Sequence, residues 1–186
     1  MRIIAGTHRG RALTPVGKGD PGAHLRPTTD RVRESLFNML AGGRFGDPFD
    51  GAQVLDLFAG TGALGLEALS RGAEHVTFVD DGRKAGQLVR ANIKLLGVGA
   101  QTTVLGTSAT RLPAATTPTA TLVFLDPPYG KSLGEKALAS ARDAGWIAPE
   151  ALIVWEESAP MNAPEGFEFL EHRKYGDTHV TLLEAV

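Results

Sequence analysis

Two short stretches of the chain carry residue types that can do chemistry together. The first is Val54-Leu55-Asp56-Leu57-Phe58-Ala59-Gly60-Thr61-Gly62-Ala63-Leu64-Gly65. Gly60, Gly62 and Gly65 form a GxGxxG between an apolar run that reads as a strand and a stretch that reads as a helix. At such a turn, backbone N–H groups and the positive helix end face a ligand cleft. Asp80 closes the following strand, 20 residues after Gly60, where a carboxylate can accept ribose hydroxyls. Taken alone, this is a nucleoside-cofactor site of unspecified kind. The purely structural alternative makes the glycines packing residues and Asp80 a turn former.

Asp56 discriminates between cofactors. A carboxylate inside the first strand would repel the pyrophosphate of a dinucleotide but welcome an ammonium group. S-adenosylmethionine presents such an ammonium with a sulfonium nearby. The string from Asp56 to Gly62, D-L-F-A-G-T-G, also resembles the first motif of S-adenosylmethionine-dependent methyltransferases more than it resembles a dehydrogenase fingerprint. Asp56, Phe58, Ala59, Gly60, Thr61, Gly62 and Asp80 are therefore the candidate cofactor residues.

The second stretch is Leu125-Asp126-Pro127-Pro128-Tyr129-Gly130, at the end of the fourth apolar strand. Consecutive prolines fix extended backbone and donate no N–H, so their carbonyls are acceptors only. Asp126 adds a carboxylate and Tyr129 an aromatic face at the sheet edge where open α/β proteins bind ligands. The exocyclic amine of a base is a poor nucleophile because its lone pair is delocalised into the ring. Accepting its two N–H bonds, at the Asp126 carboxylate and the Pro127 carbonyl, favours the pyramidal nitrogen that attacks a sulfonium methyl in line. Tyr129 would stack on a base swung out of its helix or loop. The catalytic set expected is Asp126, Pro127, Pro128 and Tyr129.

The elements that position these residues follow from periodicity. From residue 53 onward strands alternate with helices: strands over 53–58, 75–79, 102–105, 121–125 and 152–156, helices over 61–71, 83–96 and 132–144. Such alternation predicts a mostly parallel, doubly wound α/β sheet. Two extended segments, 167–175 and 179–184, joined by Gly176-Asp177, predict a hairpin that adds an antiparallel C-terminal strand and completes seven. Before residue 53, Thr29 or Asp30 caps a helix with Val32, Leu36, Met39 and Leu40 on its apolar face; Arg31 and Arg33 fall outside that stripe, free for solvent or a ligand. Residues 1–28 read as a short basic β-hairpin and a Gly/Pro-rich loop, an extension on a domain spanning 29–186.

Composition narrows the function classes. The chain has 186 residues, and without cysteine it excludes disulfide frameworks, cysteine metal clusters and thiol catalysis. Five scattered histidines without an i, i+4 pair make no metal site, and no apolar run approaches a membrane span or a signal peptide. A soluble cytoplasmic protein is expected. The net charge of −2 hides a net of +5 over residues 1–46, leaving −7 for the rest. Most of those cations are arginine, which pairs bidentately with phosphate, so Arg2, Arg9, Arg11, Arg26, Arg31 and Arg33 are candidate contacts to a polyanion, a nucleic acid among them. The alternative is a solvated basic surface.

Together the two motifs are similar to those of N-methyltransferases acting through (D/N/S)PP(Y/F/W), and aspartate in first place favours nucleic-acid amines over a protein glutamine. The stretch Arg2 to Gly6 with Arg9-Gly10-Arg11, then Leu25 to Asn38 (LRPTTDRVRESLFN), and the tail Arg173 to Thr178 resemble the RsmD family of bacterial 16S rRNA guanine-N2 methyltransferases over nearly the whole chain. The resemblance implies a Rossmann-like class I fold and a monomer. It further implies methyl transfer from S-adenosylmethionine to N2 of one guanine of 16S rRNA, in the assembled or partly assembled small subunit. It also places Arg26 and Thr28 near the methionine end of the cofactor. Where such enzymes often carry an acidic residue after the third strand, this chain has Thr107-Ser108-Ala109, so Ser108 and Ala109 are expected at the adenine. Three other readings remain: an N6-adenine methyltransferase, a dinucleotide oxidoreductase disfavoured by Asp56, and a noncatalytic RNA-binding assembly factor.

Overall fold

The structure is a computed structural model that describes residues 1–17 and 28–186. Arg26 lies outside the described residues. Its chain order is α1 (Asp30–Leu40), β1 (Gln53–Leu57), α2 (Ala63–Ser70), β2 (His75–Val79), α3 (Arg83–Leu96), β3 (Thr102–Leu105), β4 (Ala120–Leu125), α4 (Leu133–Asp143), β5 (Ile147–Glu157), β6 (Phe167–Tyr175) and β7 (Thr178–Ala185). The strands form one seven-stranded sheet in the order β3-β2-β1-β4-β5-β7-β6. The five strands from β3 to β5 are parallel neighbours, while β7 runs antiparallel to both β5 and β6. The α/β class and the single reversed strand are as the alternation of patterns predicts.

Alternation along each buried strand divides the core in two. Val54, Val76, Phe78, Phe124 and Val154 face one side with Leu36, Phe37 and Leu40 of α1, Leu66 of α2 and Val89 and Ile93 of α3. Leu55, Leu57, Val79, Val123, Leu125 and Trp155 face the other, against Ala137, Leu138 and Ala141 of α4. Asp56 continues the first series, two residues after Val54.

Local details depart from the pattern-based expectation for definable reasons. α2 starts at Ala63 rather than Thr61, because Phe58, Gly60 and Gly62 all have positive φ and cannot be helical. β5 begins five residues earlier than its apolar run, at Ile147; Pro149 and a left-handed Glu150 hide that start, and the register against β4 shifts there. The N-terminal hairpin has one β-bridge, Arg2 with Ala12, flanked by backbone bonds from Ile3 N–H to the Arg11 carbonyl (2.9 Å), Gly10 N–H to the Ile3 carbonyl (2.8 Å) and Leu13 N–H to the Met1 carbonyl (2.9 Å). Its first arm also docks on α2: Ile4 and Ala5 N–H donate to the buried Glu67 carboxylate (2.8 and 3.0 Å), and Thr7 N–H to the Ser70 carbonyl (2.8 Å). Ile3 and Leu13 are part of the core.

The apolar face of α1 is also rotated from the expected stripe. Its buried residues are Arg33, Leu36, Phe37 and Leu40, and Thr29 caps it by accepting from Val32 N–H. Arg33 is wholly inaccessible to solvent. Its guanidinium donates to the Asp30 carboxylate (2.9 Å) and the Arg2 carbonyl and lies 4.0 Å from Glu67. The expectation that Arg33 is free for solvent or RNA is therefore corrected: anchoring carboxylates and a carbonyl hold this cation beneath the N-terminal segment.

Candidate active site at the sheet switch point

The strand order reverses between β1 and β4, and the C-terminal ends of these two strands flank a crevice. A crevice of this kind is where open α/β sheets bind ligands. The glycine loop follows β1 and Asp126 follows β4, and the Asp126 N–H donates to the Leu57 carbonyl to join the two ends (3.4 Å). Here a cavity of about 1290 Å³ opens, larger than the several hundred Å³ of a single small-molecule pocket. Asp56, Phe58, Ala59, Gly60, Thr61, Asp80, Ser108 and Thr28 all line it, as do Asp126, Pro127, Pro128 and Tyr129. Both motifs thus open into one space.

Two candidate residues stand behind the wall. Gly62 is buried with φ +80°, and a Cβ there would come within 2.7 Å of Val89, so it shapes the turn. Ala109 packs into the core beside α4. Its neighbour Thr110 lines the cavity instead, hydrogen-bonded through its hydroxyl to Ser108 (2.8 Å).

Carboxylates hold the site together. Asp80 accepts from Gly60 N–H at Oδ2 (2.9 Å) and from Gly82 N–H at Oδ1 (2.8 Å), clamping the glycine loop to the start of α3. Each of its oxygens keeps a second lone pair for a ligand hydroxyl. Burial raises its pKa, against those two N–H bonds. Asp56 accepts from Gly65 N–H in the first turn of α2 (3.0 Å). Burial, and after it the charges of Asp126 and Asp80, hold its carboxyl well above the usual carboxylate range. The buried Asn92 ties the loop from behind, donating to the Thr61 carbonyl (2.9 Å) and accepting from Thr14 N–H (2.7 Å).

One carboxyl escaped the sequence reading. Glu156 is fully buried one position beyond the pair Leu125–Trp155, beside Asp126, on the face shared with Asp56. Thr28 donates to its Oε2 (3.5 Å), while Oε1 has no hydrogen-bond partner. Burial and the Asp56 charge push it up to about 7, opposed by Thr28 and Arg33. The signal that could have found it is the one that marked Asp56, a carboxylate interrupting an apolar strand. The lysines and arginine at the mouth, Lys131, Arg83 and Lys84, were also missed; nothing in their local pattern distinguishes them from surface charge.

Arg2, Arg9, Arg11 and Arg31 are exposed, and Arg11 also donates to the Leu95 carbonyl at the end of α3 (2.8 Å). Among the described residues no cluster of three or more His, Cys, Asp or Glu could hold a metal ion, and no helix is long and apolar enough to cross a membrane.

A Rossmann-like sheet with a glycine loop after β1 and an Asp-Pro-Pro-Tyr turn after β4, meeting at the switch point, is the fold of a class I methyltransferase. The family described as Conserved hypothetical protein 95 matches residues 1–184. Escherichia coli (strain K12) Ribosomal RNA small subunit methyltransferase D is 44% identical over 164 residues, covering 88% of this chain and 78% of that protein. The Haemophilus influenzae protein of the same name is 37% identical over 182 residues, covering 95% and 89%. The solved structure of yhhF from Escherichia coli superposes with a TM-score of 0.80 at 36% identity, covering 100% of this chain and 97% of that one. The chain belongs to this family, the RsmD family of methyltransferases.

Proposed function

We propose that the chain methylates the exocyclic N2 amine of one guanine in 16S rRNA, using S-adenosylmethionine, on the assembled or partly assembled small ribosomal subunit. The observation that carries this reading is the opening of the glycine loop and the Asp126–Tyr129 turn into one cavity large enough for two ligands. The names of the relatives support the rRNA substrate.

The residues present fit the cofactor. Asp56 and Glu156 are buried acids without an adequate cation, and Glu156 Oε1 has no partner. An ammonium or sulfonium would lower the cost of ionising them. Asp80 retains lone pairs for ribose, and Ser108 and Thr110 line the same cavity. When bound, the cofactor supplies an electrophilic methyl group. Asp126 and the Pro127 carbonyl accept the two amine N–H bonds and direct the nitrogen lone pair toward the methyl. Pro127 and Pro128 keep the turn extended, and Tyr129 stacks on the extruded base. Arg2, Arg9, Arg11 and Arg31 contact rRNA phosphates as the monomer docks, in the cytoplasm.

The test is tritium transfer from labelled S-adenosylmethionine to small subunits from cells lacking the protein, followed by nucleoside analysis. Label in N2-methylguanosine is expected. Label in N6-methyladenosine would preserve the chemistry and overturn the base, and tight cofactor binding with no transfer to small subunits would overturn the assigned substrate.

A further inference from the structure

Strand order lays the candidate active site out in a line along the C-terminal edge of the sheet. Ser108 after β3, Asp80 after β2 and the glycine loop after β1 form one half of the cavity, with Asp126 after β4 at the boundary. Beyond β4 the lining is Ser158, which follows β5, and the turn of the last hairpin, residues 175–178. Parallel strands bring only their ends to this edge. β7 runs antiparallel, so its beginning lies there, with His179 opposite Glu157 of β5, and it carries the turn with it. In-line methyl transfer needs the nucleophile on the side of the methyl group away from sulfur. With the cofactor held over β1 to β3, the RNA enters from the β5–β7 half.

The chemistry of that half continues out of the cavity along β6, the outer strand of the sheet. Tyr175 is half-buried, packed against the core and lining the cavity. Alternation puts Arg173 on the same face, about 7 Å back along the strand, and Glu171 beyond it; their partners on β7 are Val180 and Leu182, which face the α1 side of the core. Glu171 is ion-paired with Arg173 through Oε1 and with Arg44, from the loop after α1, through Oε2. One carboxylate thus braces two guanidiniums whose side chains are 49% and 58% exposed, and the cluster keeps a surplus positive charge. A braced arginine loses less side-chain freedom when it takes a phosphate.

We infer that this face of β6 is a track for the RNA strand leaving the cavity: Tyr175 stacks on an unpaired base flanking the target, and Arg173 and Arg44 pair with the phosphates that follow. An aromatic platform with cations along the backbone is the combination that holds unpaired RNA. The inference rests on the RNA substrate proposed above. Charges on an edge strand also discourage pairing with other strands, and the experiment separates the two roles.

Affinity for small subunits is measured by filter binding over a range of salt concentrations, and affinity for S-adenosylmethionine by calorimetry. Tyr175→Leu keeps an apolar body against the core and removes the ring; it should weaken binding to small subunits about tenfold. Tyr175→Phe keeps the ring and should stay within about twofold of wild type. Arg173→Gln and Arg44→Gln change exposed side chains, and each should reduce the slope of log affinity against log salt by roughly 0.7. Cofactor affinity should be unchanged in every variant. Unchanged binding by Tyr175→Leu, or a phenylalanine variant as weak as the leucine one, would overturn the stacking. Unchanged salt slopes in the two arginine variants, which can be read whether or not Tyr175→Leu folds, would overturn the track and leave the cluster as edge protection. Flattened slopes in a protein that transfers no methyl group would fail the reading of the reaction and leave the track standing.

Discussion

Glu156→Gln should stabilise the ligand-free protein at alkaline pH and leave it unchanged in acid. Glu156 is fully buried, touches Thr28 on one oxygen and lacks a partner on the other, with Asp56 on β1 and Arg33 on α1 as the charges around it. Burial raises it from an ordinary 4.5 to about 7 in the folded chain. A carboxyl raised on folding favours the native state below its unfolded pKa, and this contribution is lost as pH rises through the folded value. Each pH unit between the two values is worth about 1.4 kcal/mol, so the wild type should lose about 3 kcal/mol between pH 4.5 and 7.5 through this group. Glutamine stays neutral throughout and can keep the Thr28 contact. Urea titrations followed by the fluorescence of the buried Trp146 and Trp155 at pH 4.5, 6, 7 and 8 measure the difference. The two curves should coincide at pH 4.5 and separate by about 3 kcal/mol at pH 8, glutamine being the more stable. A glutamine variant no more stable than wild type at pH 8 would refute the reasoning and make Glu156 a carboxylate that anchors Arg33.

Other perturbations address other links. Asp126→Ala should lower turnover by about 100-fold or more while cofactor affinity by calorimetry largely survives; near-normal turnover would remove Asp126 from the catalytic set. Replacing the exposed Arg9 and Arg11 by Glu should weaken binding to small subunits and flatten its dependence on salt, and an unchanged salt slope would return the segment to a solvated surface. Gly6→Ala should destabilise the fold by more than ~1 kcal/mol, because φ is +81° and the new Cβ would meet the Ser70 carbonyl oxygen at 1.8 Å. An unaltered urea midpoint would show that the N-terminal segment does not depend on its contact with α2.

The sequence by itself carries the features that are local in origin. Alternating apolar patterns identify the α/β class and six of the seven strands to within about a residue at each end. The glycine loop, the Thr29 cap and the Asp-Pro-Pro-Tyr turn are legible because backbone conformation at glycine and proline is dictated by their own covalent structure. Asp56 and Asp126 stand out as carboxylates beside apolar strands. The reversed strand follows from the short Gly176-Asp177 turn, which leaves room only for an antiparallel return.

Tertiary structure decided the rest, through interactions between residues far apart in the chain. Placing β4 beside β1 brings Asp126 to Asp56 and creates the crevice, a choice that depends on which strands pack rather than on any one strand's pattern. Arg33 reads as a surface cation on α1, yet Asp30, the Arg2 carbonyl and Glu67 hold it inside the protein. Glu156 becomes a site carboxyl only because β5 pairs with β4, and Thr178 reaches the cavity lined by Tyr129 only because β7 enters the sheet reversed. Periodicity records which face of an element is apolar; which partner covers that face is set by the packing of the whole chain, and the chemistry of the site depends on those partners.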